Sequence, residues 1–268
     1  MPELPEVEMV KRGLETLVIN QTIVHITTDR KTMFPQGFSY FKEQVEQKEI
    51  QAIERFGKYL LFILNQGIIV SHLRMEGKYS YTKDMINDSY VHVVFQLEDG
   101  FLNYRDVRTF GRFIYAKDKN EVNALLPKGQ DPTHQAFDMK KIQAQLGRLK
   151  SPIKNVLLNQ KIIAGLGNIY VDEVLFRAHI HPLRPANTLT RKEIATLLKQ
   201  TALIFQEAIA CGGTTIRTYK NAFGQEGTFQ NHLLVYGKEG SPCSCCGTTI
   251  EKIKVGGRGT HFCPQCQK

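Results

Sequence analysis

Five of the six cysteines fall in the last 26 residues, and their spacing describes a metal site. Cys243 and Cys246 form one C-x2-C pair, Cys263 and Cys266 form another, and sixteen residues separate the pairs. A two-residue gap lets both thiolates of one turn reach the same tetrahedral ion, and the longer gap makes a hairpin that brings the second turn back. The pattern predicts one structural Zn2+, with no open position for water. Two disulfides are the alternative, and they suit an oxidising compartment. Cys245 lies inside the first turn and is left out, because the other four already fill a tetrahedron; Cys211 stands apart. Chemistry of another kind is available at the opposite end, Met1-Pro2-Glu3-Leu4-Pro5-Glu6. Pro2 is small enough for Met1 to be removed, which would leave a secondary amine. Free α-amines titrate near ~7.7–8.0, so a useful fraction is unprotonated at neutral pH. A helix start at Pro5 would lower that value further, while Glu3 and Glu6 oppose it. A secondary amine that attacks an acetal-like carbon gives an iminium, an electron sink for elimination. Glu3 could carry the proton. Taken alone, a proline at position 2 reads as an ordinary second residue.

The elements that must position these groups change character along the chain. Val7, Val10, Leu14 and Leu17 recur at steps of three and four, which predicts one face of a helix opened by Pro5. Residues 22–28, 51–64, 67–73, 78–82, 90–97, 101–104 and 112–117 are rich in Val, Ile, Phe and Tyr and are broken by Asn65-Gln66-Gly67 and Glu98-Asp99-Gly100. They predict a compact antiparallel sandwich. Turn-rich Leu126–Pro132 marks a boundary, and residues 139–146, 153–158, 169–176 and 191–210 then show helical apolar spacing. Gly165-Leu166-Gly167-Asn168 opens the third of these segments. Backbone N–H groups at such a helix start suit a phosphate, although the same text fits a plain helix–turn–helix corner.

Charge separates the halves. Residues 1–130 carry 17 Lys+Arg and 17 Asp+Glu, whereas 131–268 carry 18 and 9, so the whole net charge of +9 lies in the second half. That asymmetry suggests a polyanion gripped mainly by the C-terminal part. The longest apolar run, Tyr59–Leu64, is far short of the ~20 residues that span a bilayer, and the acidic start lacks a secretory pattern. The expectation is a cytoplasmic chain with reduced thiols and no membrane partner.

These residues sit in segments that together resemble the bacterial formamidopyrimidine-DNA glycosylase family, helix-two-turns-helix enzymes that remove oxidised purines such as 8-oxoguanine. The matching text is MPELPEVE (1–8), FGKYL (56–60), SHLRMEGKY (71–79), YRDVRTFGRF (104–113), GLGNIYVDEVLF (165–176), GGTTIRTY (212–219) and the C-x2-C…GRGTHFCPQC hairpin (243–266). The resemblance implies an α+β fold with three parts: a β-sandwich catalytic domain with flanking helices (1–130), a helix-two-turns-helix domain (131–236) and a four-cysteine zinc finger hairpin (237–268). It implies that Pro2 attacks C1′ of the damaged nucleotide, that Glu3 assists opening of the sugar, and that Lys58 binds phosphate and takes part in β-elimination. It assigns Arg258 to phosphate binding and the final δ-elimination. Met75, Arg108 and Phe110 match the residues that fill the gap left by the turned-out nucleotide, with Phe110 as wedge and Arg108 facing the orphaned cytosine. His72, His92, Lys154 and Asn168 match the backbone-binding set. Glu6 and Glu76 match residues near the base pocket, and Thr214, Thr215, Ile216, Arg217, Thr218 and Tyr219 match a loop that closes over the base. The implied partner is damaged duplex DNA, bound by a monomer associated with the nucleoid. An endonuclease VIII-type enzyme for oxidised pyrimidines shares this architecture. A non-catalytic zinc-hairpin DNA-binding protein would explain the charge and the cysteines but not the Pro-Glu start.

Overall fold

The computed structural model describes residues 1–133, 136–215 and 224–268. They form two compact units, Met1–Leu126 with Ile209–Thr228, and Pro127–Ala208 with Phe229–Lys268. The zinc-type hairpin shares a unit with the helices, and residues 209–228 rejoin the N-terminal unit.

Helix α1 (Leu4–Val18) opens the first unit with proline in its first turn and with Glu3 and Glu6 closing a reciprocal capping box. Val7, Val10, Leu14 and Val18 are its buried stripe; Leu17, expected on that face, is only half-buried at its edge. After β1 (Ile23–Thr28) comes a helix the residue pattern did not suggest, α2 (Phe38–Val45), which buries only Phe41 and Val45. The long apolar segment expected as one strand folds back on itself as β2 (Ile50–Phe56) and β3 (Tyr59–Leu64). Phe56 pairs with Tyr59 across the two-residue turn Gly57-Lys58, and Gly57 supplies the positive φ, 55°, that such a turn needs. Strands β4 (Ile68–His72), β5 (Lys78–Thr82), β6 (Val91–Leu97), β7 (Gly100–Arg105) and β8 (Arg112–Ala116) follow the expected segments closely, and α3 (Lys119–Leu125) ends the run. Two four-stranded antiparallel sheets result, ordered β1-β6-β7-β5 and β2-β3-β4-β8. They share one core, in which Leu60, Phe62, Val93, Phe95, Tyr104 and Phe113 are each at most 3% exposed. Each such side chain contributes about 1.5–3 kcal/mol by leaving water. The sandwich is therefore a rigid base for the loops at its ends.

The second unit carries α4 (Met139–Leu146), α5 (Ile153–Leu158), α6 (Asn168–Arg177) and most of α7 (Arg191–Ala210), then the hairpin β9 (Glu251–Val255) and β10 (Arg258–Phe262). Gly165 has φ +98 and Gly167 caps α6. Gln160 holds this corner by accepting from Gly165 N–H at 2.8 Å and donating to the Leu166 carbonyl at 2.6 Å. Among the described residues no helix is long and apolar enough to cross a membrane.

Candidate active site and nucleic-acid interface

The chemistry-bearing terminus is buried, not frayed. Pro2 is buried, and Glu3 and Glu6 are each 2% exposed. The Glu6 carboxylate has two neighbours far apart in sequence: Oε2 accepts from Glu3 N–H at 2.8 Å and Oε1 from Thr214 N–H at 2.7 Å. Thr214 opens the glycine-led segment assigned to the base. The neck of that segment is closed by Thr228 N–H on the Cys211 carbonyl (2.9 Å) and by Gly227 N–H on Thr215 Oγ1 (2.9 Å). Gly227 must be glycine, because a Cβ there would meet the Gly213 carbonyl oxygen at 2.1 Å. Cys211 thus contributes its backbone. Ile216, Arg217, Thr218 and Tyr219 lie outside the described residues.

Lys58 occupies the second position of the β2–β3 turn and is only 6% exposed. The turn is fixed by Arg55, which the sequence did not single out. Its Nη1 donates to the Gly57 carbonyl at 3.0 Å, and its Nε donates to Glu8 Oε2 on α1 at 2.9 Å. Burial works against ionisation of Glu8, but Arg55 and Arg12 outweigh it and hold the carboxyl below its ordinary range. One ion pair therefore ties the lysine turn to the helix that begins beside Pro2. His72, at the end of β4, stands edge-on to Tyr59 with ring centroids 4.5 Å apart and accepts from Arg74 N–H on Nδ1. Burial, then Arg74 and Lys58 nearby, push its pKa down to about 3. It is neutral at physiological pH and would meet a phosphate as an N–H donor and not as a cation.

Two loops present the candidate gap-filling residues. Met75 and Glu76 are half-buried in the β4–β5 loop. Arg108 and Phe110 lie in the β7–β8 loop, where Phe110 is 45% exposed and the Arg108 guanidinium stacks on it at 4.8 Å. An exposed phenylalanine is not core packing, the ordinary expectation for it. The loop is held from beneath by Asp106, 0% exposed, whose carboxylate accepts from the N–H groups of Arg108 (3.0 Å), Phe110 (2.9 Å) and Gly111 (2.8 Å). Nothing in the sequence singles out Asp106, because its partners are backbone N–H groups. His92 is buried on β6, with Nδ1 set by Asp29 Oδ1 at 2.9 Å.

In the second unit Arg258 is exposed at the start of β10, just after the Gly256-Gly257 turn, whose φ values of 57° and 77° are both positive. Asn168 Nδ2 donates to the Gly259 carbonyl at 3.0 Å, bringing the start of α6 to the arginine hairpin. Lys154 sits differently from the other members of that set. Expected in the backbone-binding set, it is 0% exposed, and its ammonium donates to Asp172 Oδ1 (2.7 Å), Thr260 Oγ1 (2.8 Å) and the Gly259 carbonyl (3.1 Å). An ammonium has three protons, and these contacts take them. Asp172 Oδ2 also accepts from His261 N–H at 3.0 Å, so the pair clamps the hairpin to α5 and α6. Lys154→Ala should cost the second unit about 3–5 kcal/mol, since it strands a buried carboxylate. Calorimetry would show this as a lowered transition, largely recovered in Lys154→Met/Asp172→Leu. An unchanged transition, together with a salt dependence of DNA binding reduced by about one phosphate, would return Lys154 to the interface.

The sulfurs of Cys243, Cys246, Cys263 and Cys266 all lie within 4.8 Å of one another, and Cys245 is not among them. The Cys243–Cys266 and Cys246–Cys263 separations are 3.9 and 3.5 Å. Zn–S bonds of about 2.3 Å at tetrahedral angles need S···S edges of about 3.8 Å, so this donor set fits zinc.

Three family models match in order: the formamidopyrimidine-DNA glycosylase N-terminal domain over residues 1–113, its H2TH domain over 128–220, and a zinc finger found in FPG and IleRS over 240–268. A protein named formamidopyrimidine-DNA glycosylase from Streptococcus pneumoniae is 48% identical, covering 100% of this chain and 99% of its own. One of the same name from Streptococcus thermophilus is also 48% identical, over 100% of both. Among solved structures, Lactococcus lactis Fpg bound to abasic-site DNA is similar with a TM-score of 0.93 at 45% identity, covering 99% of each chain. A mutant of that protein bound to Fapy-dG DNA is similar with a TM-score of 0.94 at 45% identity, over 100% of each chain. Residue order, fold and full-length likeness together place the chain in the formamidopyrimidine-DNA glycosylase family.

Proposed function

We propose that this chain is a base-excision-repair DNA glycosylase for oxidised purines, with an abasic-site lyase activity that runs through Pro2. The observation that carries the reading is the buried Pro2-Glu3 start, joined through Glu6 to the Thr214 segment. With Met1 removed, the Pro2 nitrogen attacks C1′, the bond from C1′ to the base breaks, and Glu3 protonates the ring oxygen as the sugar opens. The resulting iminium acidifies the neighbouring C–H, so loss of that proton expels the 3′ phosphate, with Lys58 beside it. Arg258 serves the second elimination. His72, His92, Asn168 and Arg258 bind the backbone, while Met75, Arg108 and Phe110 occupy the gap left by the extruded nucleotide. Extrusion costs a few kcal/mol of unstacking, and these side chains offset part of it. Glu6, Glu76 and the 214–219 segment face the base. The four cysteines would hold one Zn2+, which organises the hairpin that carries Arg258 and takes no part in bond breaking. The partner is damaged duplex DNA, bound by a monomer in the cytoplasm at the nucleoid. The sandwich, helical part and hairpin act as the catalytic, gripping and finger parts.

Borohydride in the presence of a duplex with one 8-oxoguanine should trap a covalent complex. Peptide mapping should place the adduct on Pro2. An adduct on a lysine with Pro2 unmodified overturns the mechanism, and no adduct at all favours a binding protein. Preferential trapping on an oxidised pyrimidine would favour the endonuclease VIII-type reading.

A further inference from the structure

We infer that Tyr104 is a positioning residue that couples the two gap-filling loops, an inference that rests on the proposal that Met75 and Phe110 fill the gap. Tyr104 lies on β7 and is 0% exposed. Its ring is fixed edge-on by Tyr79 and Phe113, with centroids 5.1 and 4.8 Å away. Its hydroxyl is buried and has no hydrogen-bond partner among the described residues.

That hydroxyl lies between two glycines. A Cβ on Gly77 would come within 2.0 Å of Tyr104 Oη, and one on Gly111 within 2.1 Å. Gly77 closes the loop that carries Met75 and Glu76, where its N–H donates to the Leu73 carbonyl at 3.0 Å. Gly111 closes the loop that carries Arg108 and Phe110, where its N–H donates to Asp106 at 2.8 Å. One oxygen atom therefore spaces the bases of both loops, and neither loop can shift toward the other without displacing it. For packing alone phenylalanine would serve better, since a buried hydroxyl without a partner costs stability. The hydroxyl instead fixes how far apart the methionine and the phenylalanine enter the duplex, and it offers a latent hydrogen bond to whichever loop peptide turns toward it on insertion.

The test is Tyr104→Phe, compared with Phe110→Ala. Tyr104→Phe should keep or raise its Tm and should cleave a preformed abasic-site duplex normally, because an abasic site has no base to unstack. Excision of 8-oxoguanine in a single turnover should fall between about 10- and 100-fold, the scale of small misplacements in a reacting complex. Preference for cytosine opposite the lesion should narrow, because Arg108 shares the displaced loop. Normal excision by Tyr104→Phe, with excision lost in Phe110→Ala, would overturn the coupling and leave the gap-filling reading intact. Normal excision by Phe110→Ala would overturn both. A parallel fall in Tm and in both activities of Tyr104→Phe would reduce Tyr104 to an ordinary core residue.

Discussion

Glu3→Gln should bind a damaged duplex as the unchanged chain does, while base excision falls by roughly 10²–10⁴-fold, the usual contribution of a positioned general acid. The substitution separates the two uses of this side chain. As the N-cap residue of α1, Glu3 accepts from the backbone of Glu6, and Glu6 reciprocates. Glutamine keeps an oxygen for that bond, so the helix start and the placement of Pro2 survive; only the transferable proton is lost. Gel-shift affinity and single-turnover base release measure the two properties independently. Near-normal excision would move the acid role to Glu6. That reassignment would demand more of the molecule, because both Glu6 oxygens already accept backbone N–H groups.

Removal of zinc should abolish DNA binding while leaving the first unit folded. A structural zinc contributes an apparent ~10–16 kcal/mol at pH 7 in small domains, far more than a hairpin of two five-residue strands can replace. Without it β10 loses its register, and with it go exposed Arg258 and the Thr260 and His261 contacts to Lys154 and Asp172. Calorimetry after chelation should show the second unit's transition lowered and the first unit's retained, since the sandwich core contains none of the four cysteines. Cys243→Ser and Cys266→Ser should behave like chelation, whereas Cys245→Ser should keep one zinc by elemental analysis. Loss of metal from Cys245→Ser would place Cys245 among the ligands of the first turn.

What could be read from the residues alone was local. Helices α4, α5 and α7 have the expected bounds because their apolar spacing is regular, and the cysteine spacing identified the four converging sulfurs. What was not legible depends on partners that residue type and spacing do not announce. Lys154 reads as a surface lysine until Asp172, 18 residues on, and Thr260, 106 residues on, close around it. Arg55 gains its role from Glu8, 47 residues earlier. Asp106 bonds locally, but to backbone groups, whose orientation no residue type announces. The break at Gly57-Lys58 was legible in principle, since a glycine inside a long strand pattern marks a turn or bulge.

The Glu6–Thr214 bond joins residues 208 apart, which bears on the order of events during synthesis. A ribosome adding about 5–20 residues per second needs roughly 10–40 s to cover that separation. The sandwich strands emerge early, yet the bond from Thr214 to Glu6, at the end of α1 beside Pro2, forms only after Thr214 leaves the exit tunnel. A nascent chain thus carries all the sandwich strands, the last of which ends at Ala116, without this bond until synthesis has passed Thr214.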